Sequence, residues 1–370
     1  MAAKPLYQQI KEALADQIDK RVLLPGQQLP TELELANQYG VSRITSKRAL
    51  TELEKEGYIT RQRGKGSFVA SSFAKNHAGL INKVISIVFP NFNSQNWAMA
   101  YVKGAMNYLN PRGYFLSIHG TGELDDRALL NQLVKDGVGG IIYYPDYTTQ
   151  CTDILTSIAL NRIPLVTIDK TYDGLPISSI TSDNYRGGYL ATEHLLLLGH
   201  RHVAFVSSCL IGERTSVRDR FCGYCHALLD HGIMVDPDLI FDDYFRSLRR
   251  FRDAEEGRSW LRNRLQQLVG SHTTAILAEN DYESLFLYQL IRDMGLKIPE
   301  DLSLVGYDNS ELLDRKNISM TTINQHFHQI GIKAATVITT LMENPEGEPQ
   351  HIKLPVELIL GETTGPPRQI

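Results

Sequence analysis

A chain of 370 residues with 42% hydrophobic side chains has enough apolar material for two or three packed domains. No apolar run approaches the roughly 18–20 residues of a membrane span, and the opening stretch lacks the apolar core of a signal peptide; no membrane partner and a cytoplasmic, nucleoid-associated location are expected. The formal net charge of −4 is unevenly distributed: residues 1–72 carry 11 basic and 8 acidic side chains, a net of +3, which leaves −7 for the remainder and suggests a basic reading head on an acidic body.

From the N-terminus, Ile10, Leu14 and Ile18 share one face of a helix expected over roughly Pro5–Val22. Thr31 opens a second helix as its N-cap, and Glu34 three residues on completes a capping box. Leu33, Leu35, Ala36 and Tyr39 are its expected apolar positions, and Gly40 is its stop. Ser42 caps a third helix after a turn of about three residues, the spacing of a helix-turn-helix. Ala49, Leu50 and Leu53 are the buried face of that helix, and Gly57 ends it. Strands Tyr58–Arg61 and Ser67–Ala70 then flank a glycine-turned tip with cations at Arg63 and Lys65.

Residues 40–66 hold seven Lys or Arg, gathered at a capped helix start and a loop tip, whereas a merely solvated surface would interleave the signs. A recognition helix reaches base edges with its first two turns, and its free N–H groups favour phosphate. Arg43, Thr45, Lys47 and Arg48, the caps Thr31 and Ser42, and Arg63, Gly64 and Lys65 at the tip are the candidate contacts to double-stranded operator DNA.

Polar residues without periodicity make 71–82 a linker. Beyond it, short β-rich runs such as Val84–Phe89, Leu165–Ile168 and Ala275–Ala278 alternate with amphipathic helices, the pattern of parallel sheets covered by helices on both faces. About 280 residues of this texture fit a pair of sheets better than one. Cys151, Cys209, Cys222 and Cys225 are expected as free thiols, because no second pair completes a metal site around Cys222-Gly-Tyr-Cys225. No nucleophile elbow, P-loop or zinc-protease motif is present, so no catalysis, cofactor or metal is expected.

Pro5-Leu6-Tyr7-Gln8-Gln9-Ile10, Leu29-Pro30-Thr31-Glu32, Val41-Ser42-Arg43 and Arg63–Val69 resemble the winged-helix domain of GntR-type regulators. The resemblance implies DNA contact by Arg43, Thr45 and Lys47 on the helix and by Arg63, Gly64 and Lys65 on the wing. Leu33 stands where many relatives carry Arg. A β-branched apolar residue is common where Ser46 stands, which implies looser packing or altered contacts here.

From about residue 84 to 364, runs in register resemble the LacI/GalR regulators, among them Ile163–Lys170, Ser182–Gly188, Leu198–Phe205, Ile298–Asp308 and Thr321–Gln325. This implies a periplasmic-binding-protein-like body of two α/β lobes around a cleft, with crossings near Asp183–Asn184, Gln325 and His351–Lys353. The implied organisation is a winged head over 1–70, the linker, and a body over 83–370. Lobe 1 spans about 83–183 and 327–352, and lobe 2 about 184–326 and 353–364.

The resemblance places Phe92, Gln95 and Trp97 after the first strand, with Asp169, Lys170, Asp183, Arg220, Tyr244, Asp281 and Gln325, as effector contacts. For Asp281 a helix-capping role competes, and for Trp97 burial in a core competes. Lys170 replaces a commoner Arg, exchanging a planar fork for a point charge. This head on this body is similar to the arabinose-operon repressors of Gram-positive bacteria, which implies a homodimer binding a pseudo-palindromic operator, gated by a small sugar such as L-arabinose. Another sugar, a sugar phosphate, or activation in place of repression stays open at this point.

Overall fold

The chain divides into two packed units, Met1–Lys83 and Val84–Ile370. The computed structural model describes residues 5–19, 22–24, 26–56, 58–62, 65–69, 83–90, 98–120, 125–148, 150–248, 254–270 and 272–369. Gly57, Arg63, Gly64, the expected linker 71–82, and Phe92, Gln95 and Trp97 lie outside the described residues.

In the first unit, helix α1 (Leu6–Asp19) places Ile10, Leu14 and Ile18 against Leu29, Leu35, Leu50, Leu53, Ile59 and Val69. Helix α2 (Glu32–Tyr39) begins on the expected capping box: the Thr31 side chain accepts from the Glu34 N–H, and the Glu34 carboxylate accepts from the Thr31 N–H at 2.7 Å. Gly40 ends it with a φ of 61°. Ser42 caps helix α3 (Arg43–Lys55), and strands β1 (Ile59–Gln62) and β2 (Gly66–Val69) pair antiparallel with Ile59 opposite Val69.

Two expectations for this unit change. Leu33 is 60% exposed, because the buried stripe of this short helix runs through Leu35 and Ala36. Ser46 is fully buried, and its hydroxyl donates to the carbonyls of Glu32 at 2.6 Å and Arg43 at 3.0 Å. It therefore braces α3 against the start of α2, so that of looser packing and altered contacts it is the contacts that change.

The second unit follows the alternation read from the sequence. Strands β3 (Val84–Phe89), β4 (Phe115–Gly120), β5 (Gly140–Tyr143), β6 (Leu165–Ile168) and β7 (Ser178–Ser182) join β13 (His351–Leu354) in a parallel sheet of order β13-β7-β6-β5-β3-β4. Helices α4 (Ala98–Leu109) and α13 (Phe327–Glu343) cover one face. Helices α5 (Asp126–Asp136) and α6 (Thr152–Leu160) cover the other. This is lobe 1.

Lobe 2 holds β8 (Val203–Val206), β9 (Ile240–Phe241), β10 (Ala275–Ala278) and β11 (Ser303–Val305), parallel in the order β11-β10-β8-β9. Helices α7 (Asn184–Leu197) and α8 (Thr215–Asp230) pack on one face. Helices α9 (Tyr244–Leu248), α10 (Ala254–Gly270), α11 (Asp281–Asp293) and α12 (Glu311–Arg315) lie toward the other. β5, β6, β8 and β10 are buried at every residue, which is why they read as unbroken apolar runs.

Three segments join the lobes. β7 runs into α7 at Asp183, and β12 (Thr322–Asn324) leads through Gln325 into α13. β13 stays paired with β7 as far as Leu354, and β14 (Glu357–Ile359) then pairs antiparallel with β12. The third crossing therefore falls at Pro355–Val356, past the expected His351–Lys353, because Leu354 still sits opposite Ser182 and accepts from the Asp183 N–H.

Glycines set the helix spacing where the lobe 2 residues discussed below are held. A Cβ added at Gly188 of α7 would collide with the Arg220 carbonyl, and one at Gly223 of α8 with the Tyr185 carbonyl. The two backbones thus touch directly. Gly188→Ala is expected to overpack this contact and lower stability by about 1–3 kcal/mol. Urea denaturation of the full chain reads this as an earlier midpoint; an unchanged midpoint would refute the close-contact assignment.

Candidate DNA-reading surface and effector cleft

In the first unit, α3 presents its N-terminal turns outward. The Arg43 side chain is 72% exposed, and its Nε lies 3.1 Å from Glu32 Oε2. The other Glu32 oxygen accepts from Arg61 of β1. Burial opposes charge on Glu32, but hydrogen bonds from Arg61 and Arg43 outweigh it and hold the carboxyl below its ordinary range. Glu32 thus aims Arg43 and ties the hairpin to the helix. The sequence reading missed this role, although its acidic side chain among cations was a visible signal.

Lys47 is exposed one turn after Arg43, and Lys65 is exposed on the hairpin. Thr45 is committed locally, its hydroxyl 2.8 Å from that of Ser42. The Arg48 guanidinium lies 3.9 Å above the Tyr7 ring, so its charge rests on α1. Thr31 and Ser42 serve as helix caps.

In the second unit, Arg220 on α8 is buried with three partners. Its Nε donates to Asn184 Oδ1 at 2.9 Å, its Nη1 donates to the Glu279 carbonyl, and its guanidinium lies 3.7 Å over the Tyr307 ring. Next to Tyr307 stands Asp308, held at a φ of 126°, which non-glycine residues rarely adopt. Gln325 Nε2 donates to Asp308 Oδ1, while Gln325 Oε1 is buried with no hydrogen-bond partner among the described residues. Burial pushes the Asp308 carboxyl well above its ordinary range despite the pull of Arg220.

Asp169 and Lys170 close the lobe 1 side. Lys170 Nζ donates to Asp169 Oδ2 at 2.6 Å and lies 4.0 Å from the Tyr144 ring centre. Burial opposes charge on Asp169, but Lys170 and Arg220 together hold it below the usual carboxylate range. Arg214, which the sequence reading passed over, crosses between the lobes. Its Nη2 donates to Asp146 Oδ1 at 2.8 Å, and its Nε donates to the Asp146 carbonyl at 3.2 Å.

Asp169, Lys170, Arg220 and Gln325 are thus brought together with Asp308. Three other candidates are not. Asp281 is fully buried, with one oxygen accepting from Thr322 Oγ1 and the other from the Ser310 N–H, both at 2.7 Å. Its carboxylate ties α11 to the second crossing, so the open acceptor is Asp308. Asp183 caps α7 through the Arg186 N–H. Tyr244 packs in the lobe 2 core between Phe241 and Phe286. Asp308 ends a run already noticed in the sequence, Ile298–Asp308, but only the backbone turn reveals where its carboxylate goes.

Residues 6–69 match the family described as bacterial regulatory proteins, gntR family, and residues 192–364 match the periplasmic binding protein-like domain. The arabinose metabolism transcriptional repressor of Halalkalibacterium halodurans is 30% identical over 346 residues, covering 91% of this chain and 89% of the relative. The chain belongs to this repressor family. The repressor of the same name from Geobacillus stearothermophilus is 29% identical over 352 residues, covering 92% of each. Among solved structures, a ribose-bound LacI family regulator from Enterococcus faecium aligns with a TM-score of 0.62 at 25% identity, covering 76% of this chain and 99% of its own. The regulator CelR in complex with cellobiose aligns at 0.65 and 20% identity over 90% of this chain and 100% of its own, a likeness of fold.

In this family member the lobe 2 wall carries a further buried carboxyl, Glu283, which burial pushes up to about 7 although Ser208 and Arg214 pull it down. The folded state keeps its proton where an unfolded Glu, with a pKa of about 4.3, has lost it. Stability contributed by this group is therefore full below about pH 4 and is lost as pH rises toward 7. Glu283→Gln is expected to be more stable than the wild type at pH 8 and equal to it at pH 4 in thermal melts. A pH-independent difference would refute the assignment.

Proposed function

We propose that this repressor binds double-stranded operator DNA through the exposed start of α3 and its wing, as a homodimer in the cytoplasmic nucleoid, and is released or held by a neutral sugar, L-arabinose, bound between the lobes of its body. In this reading residues 1–70 form the head, 71–82 the linker and 83–370 the body. The curated relatives named for arabinose metabolism support the choice of sugar. The protein itself performs no catalysis and needs no cofactor or metal.

One observation carries the effector assignment. Buried Arg220 and Gln325 form a polar cluster with half-buried Asp308, in which the Gln325 acceptor has no partner among the described residues. A sugar hydroxyl supplies the missing donor, and its neighbours can accept from Arg220 N–H groups left over from Asn184 and Glu279. The charge pattern favours a neutral sugar over a sugar phosphate. Lys170 is matched by Asp169, and Arg214 by Asp146, while Arg220 is shared between Tyr307 and the nearby Asp308. Among the described residues only Arg220 faces the cluster without a paired carboxylate, and its N–H groups are already divided between Asn184 and the Glu279 carbonyl. Binding can change operator affinity only through unequal affinity for the two lobe arrangements, typically about 1–3 kcal/mol of coupling.

Asp308→Asn, which exchanges a carboxyl oxygen for an amide, is expected to weaken L-arabinose binding by about tenfold or more, the cost of one compromised buried hydrogen bond, while operator affinity without sugar stays at the wild-type level. Calorimetry showing unchanged sugar affinity would sink the cleft assignment. Arg43→Ala is expected to cost about 1–3 kcal/mol of operator binding and to relax base preference at one position. Titration at fixed salt is the check, and equal affinity for all operator variants by both proteins would remove Arg43 from base readout.

A further inference from the structure

The edge of the lobe 1 sheet opposite β4 has a face that no core covers. In the β7–β13 register His351 stands beside Ser179 and Lys353 beside Thr181, all on one face, with His351 Nδ1 2.9 Å from Ser179 Oγ. The alternate residues Ile180 and Ile352 turn the other way, into the core beneath α4 and α13. On the polar side, the apolar layer under α5 and α6 reaches only to Tyr172 and Ile177. Beyond them the ladder opens into a cavity of about 310 Å³.

The remaining walls come from both lobes. Lobe 1 gives the loop from Thr171 to Leu175, and lobe 2 gives the first turn of α8. At the cavity, Arg218 Nη1 lies 3.0 Å from Asp173 of lobe 1, and its Nε lies 3.2 Å from Asp219 of its own helix. Thr181 lines the cavity, and its hydroxyl, which forms no hydrogen bond among the described residues, is open to it. A hydroxyl that faces the cavity in this way can exchange a solvent hydrogen bond for one to a ligand hydroxyl.

We propose that this cavity is a second ligand site, separate from the Arg220 cluster, for a small neutral polyhydroxylated molecule such as a monosaccharide or its alditol. Charge selects the class: Arg218 pairs with both Asp173 and Asp219, Lys353 brings these four formal charges to zero, and Asp169 at the back is already matched by Lys170. The volume sits at the lower end of the range for ligand pockets, which suits a monosaccharide. The two sites share a partition. Asn184 lines this cavity while accepting from Arg220, and Asp169 lines it while holding Lys170. Because its walls belong to both lobes, an occupant favours the lobe arrangement in which Arg218 meets Asp173.

Equilibrium dialysis of the full-length protein against labelled L-arabinose, D-ribose, D-xylose and their alditols tests this. At least one probe is expected to saturate at two equivalents per protomer. Lys353→Met, and Lys353→Met with Thr181→Val, are expected to reduce this to one equivalent with the tighter event unchanged. Asp308→Asn should weaken the tighter event by about tenfold or more and leave the weaker one unchanged. One equivalent for every probe overturns the proposal, as do two equivalents that survive the double substitution. Displacement of the weaker event by a pentose phosphate overturns the neutral assignment. If Asp308→Asn spares both events while the double substitution removes one, the cleft reading fails and the second site stands.

Discussion

Arg220 is a full positive charge held out of water, and lobe 2 is arranged around meeting it. An isolated buried guanidinium is prohibitively costly, so each face of this one is answered by a different part of the chain. Asn184 comes from the first crossing, the Glu279 carbonyl from the end of β10, and Tyr307 from just beyond β11. Fixing one side chain therefore fixes the hinge, the sheet and the cleft floor relative to one another. The direct backbone contact at Gly188 and Gly223 is what brings α8 close enough for this to happen. A Cβ on either helix would move the Arg220 backbone itself.

The lobes also meet without any ligand, and the contact is lopsided. Lobe 2 offers a single stretch, Glu213 to Arg218. The Thr148 N–H and hydroxyl donate to the Glu213 carbonyl, Arg214 pairs with Asp146, the Thr171 N–H donates to Thr215, and Arg218 pairs with Asp173. Partly exposed ion pairs of this kind contribute about 0–1 kcal/mol each. A clasp built from them can be shifted by a ligand whose differential affinity is only a few kcal/mol, which is the scale available to a sugar. A large apolar interface in the same place would lock the lobes beyond the reach of such a ligand.

What could be read from the chain beforehand follows from range. Caps, the helix-turn-helix and the buried parallel strands are local patterns, and Thr31–Glu34, Gly40 and the run Leu165–Ile168 announce them within a few residues. The hinge strands β12, β13 and β14 have three or four residues each, too short for periodicity to show. Asp281 and Asp308 are both carboxylates near strand ends, and nothing local separates them. The difference lies in Thr322 and Ser310 reaching one of them, and in the positive φ of the other. Ser46 stands where a β-branched apolar residue is common, so looser packing and altered contacts were both open. Its hydroxyl in fact satisfies a carbonyl fourteen residues earlier in the chain, a partner that helical spacing along α3 cannot reveal.

The same cluster joins two of the three crossings. Asn184 begins α7 at the first crossing and accepts from Arg220. Gln325 lies at the second crossing and donates to Asp308, while its carbonyl accepts from Ser182 at the first. A rotation of one lobe against the other must change the backbone at these residues, and their side chains carry that change straight into the polar cluster. The reverse holds equally: whatever bonds Gln325 Oε1 or draws Asp308 toward itself pulls on the hinge directly. If the proposed cleft is the effector site, the sensing groups and the pivot are the same residues, and no separate relay within the body is needed to turn occupancy into lobe angle.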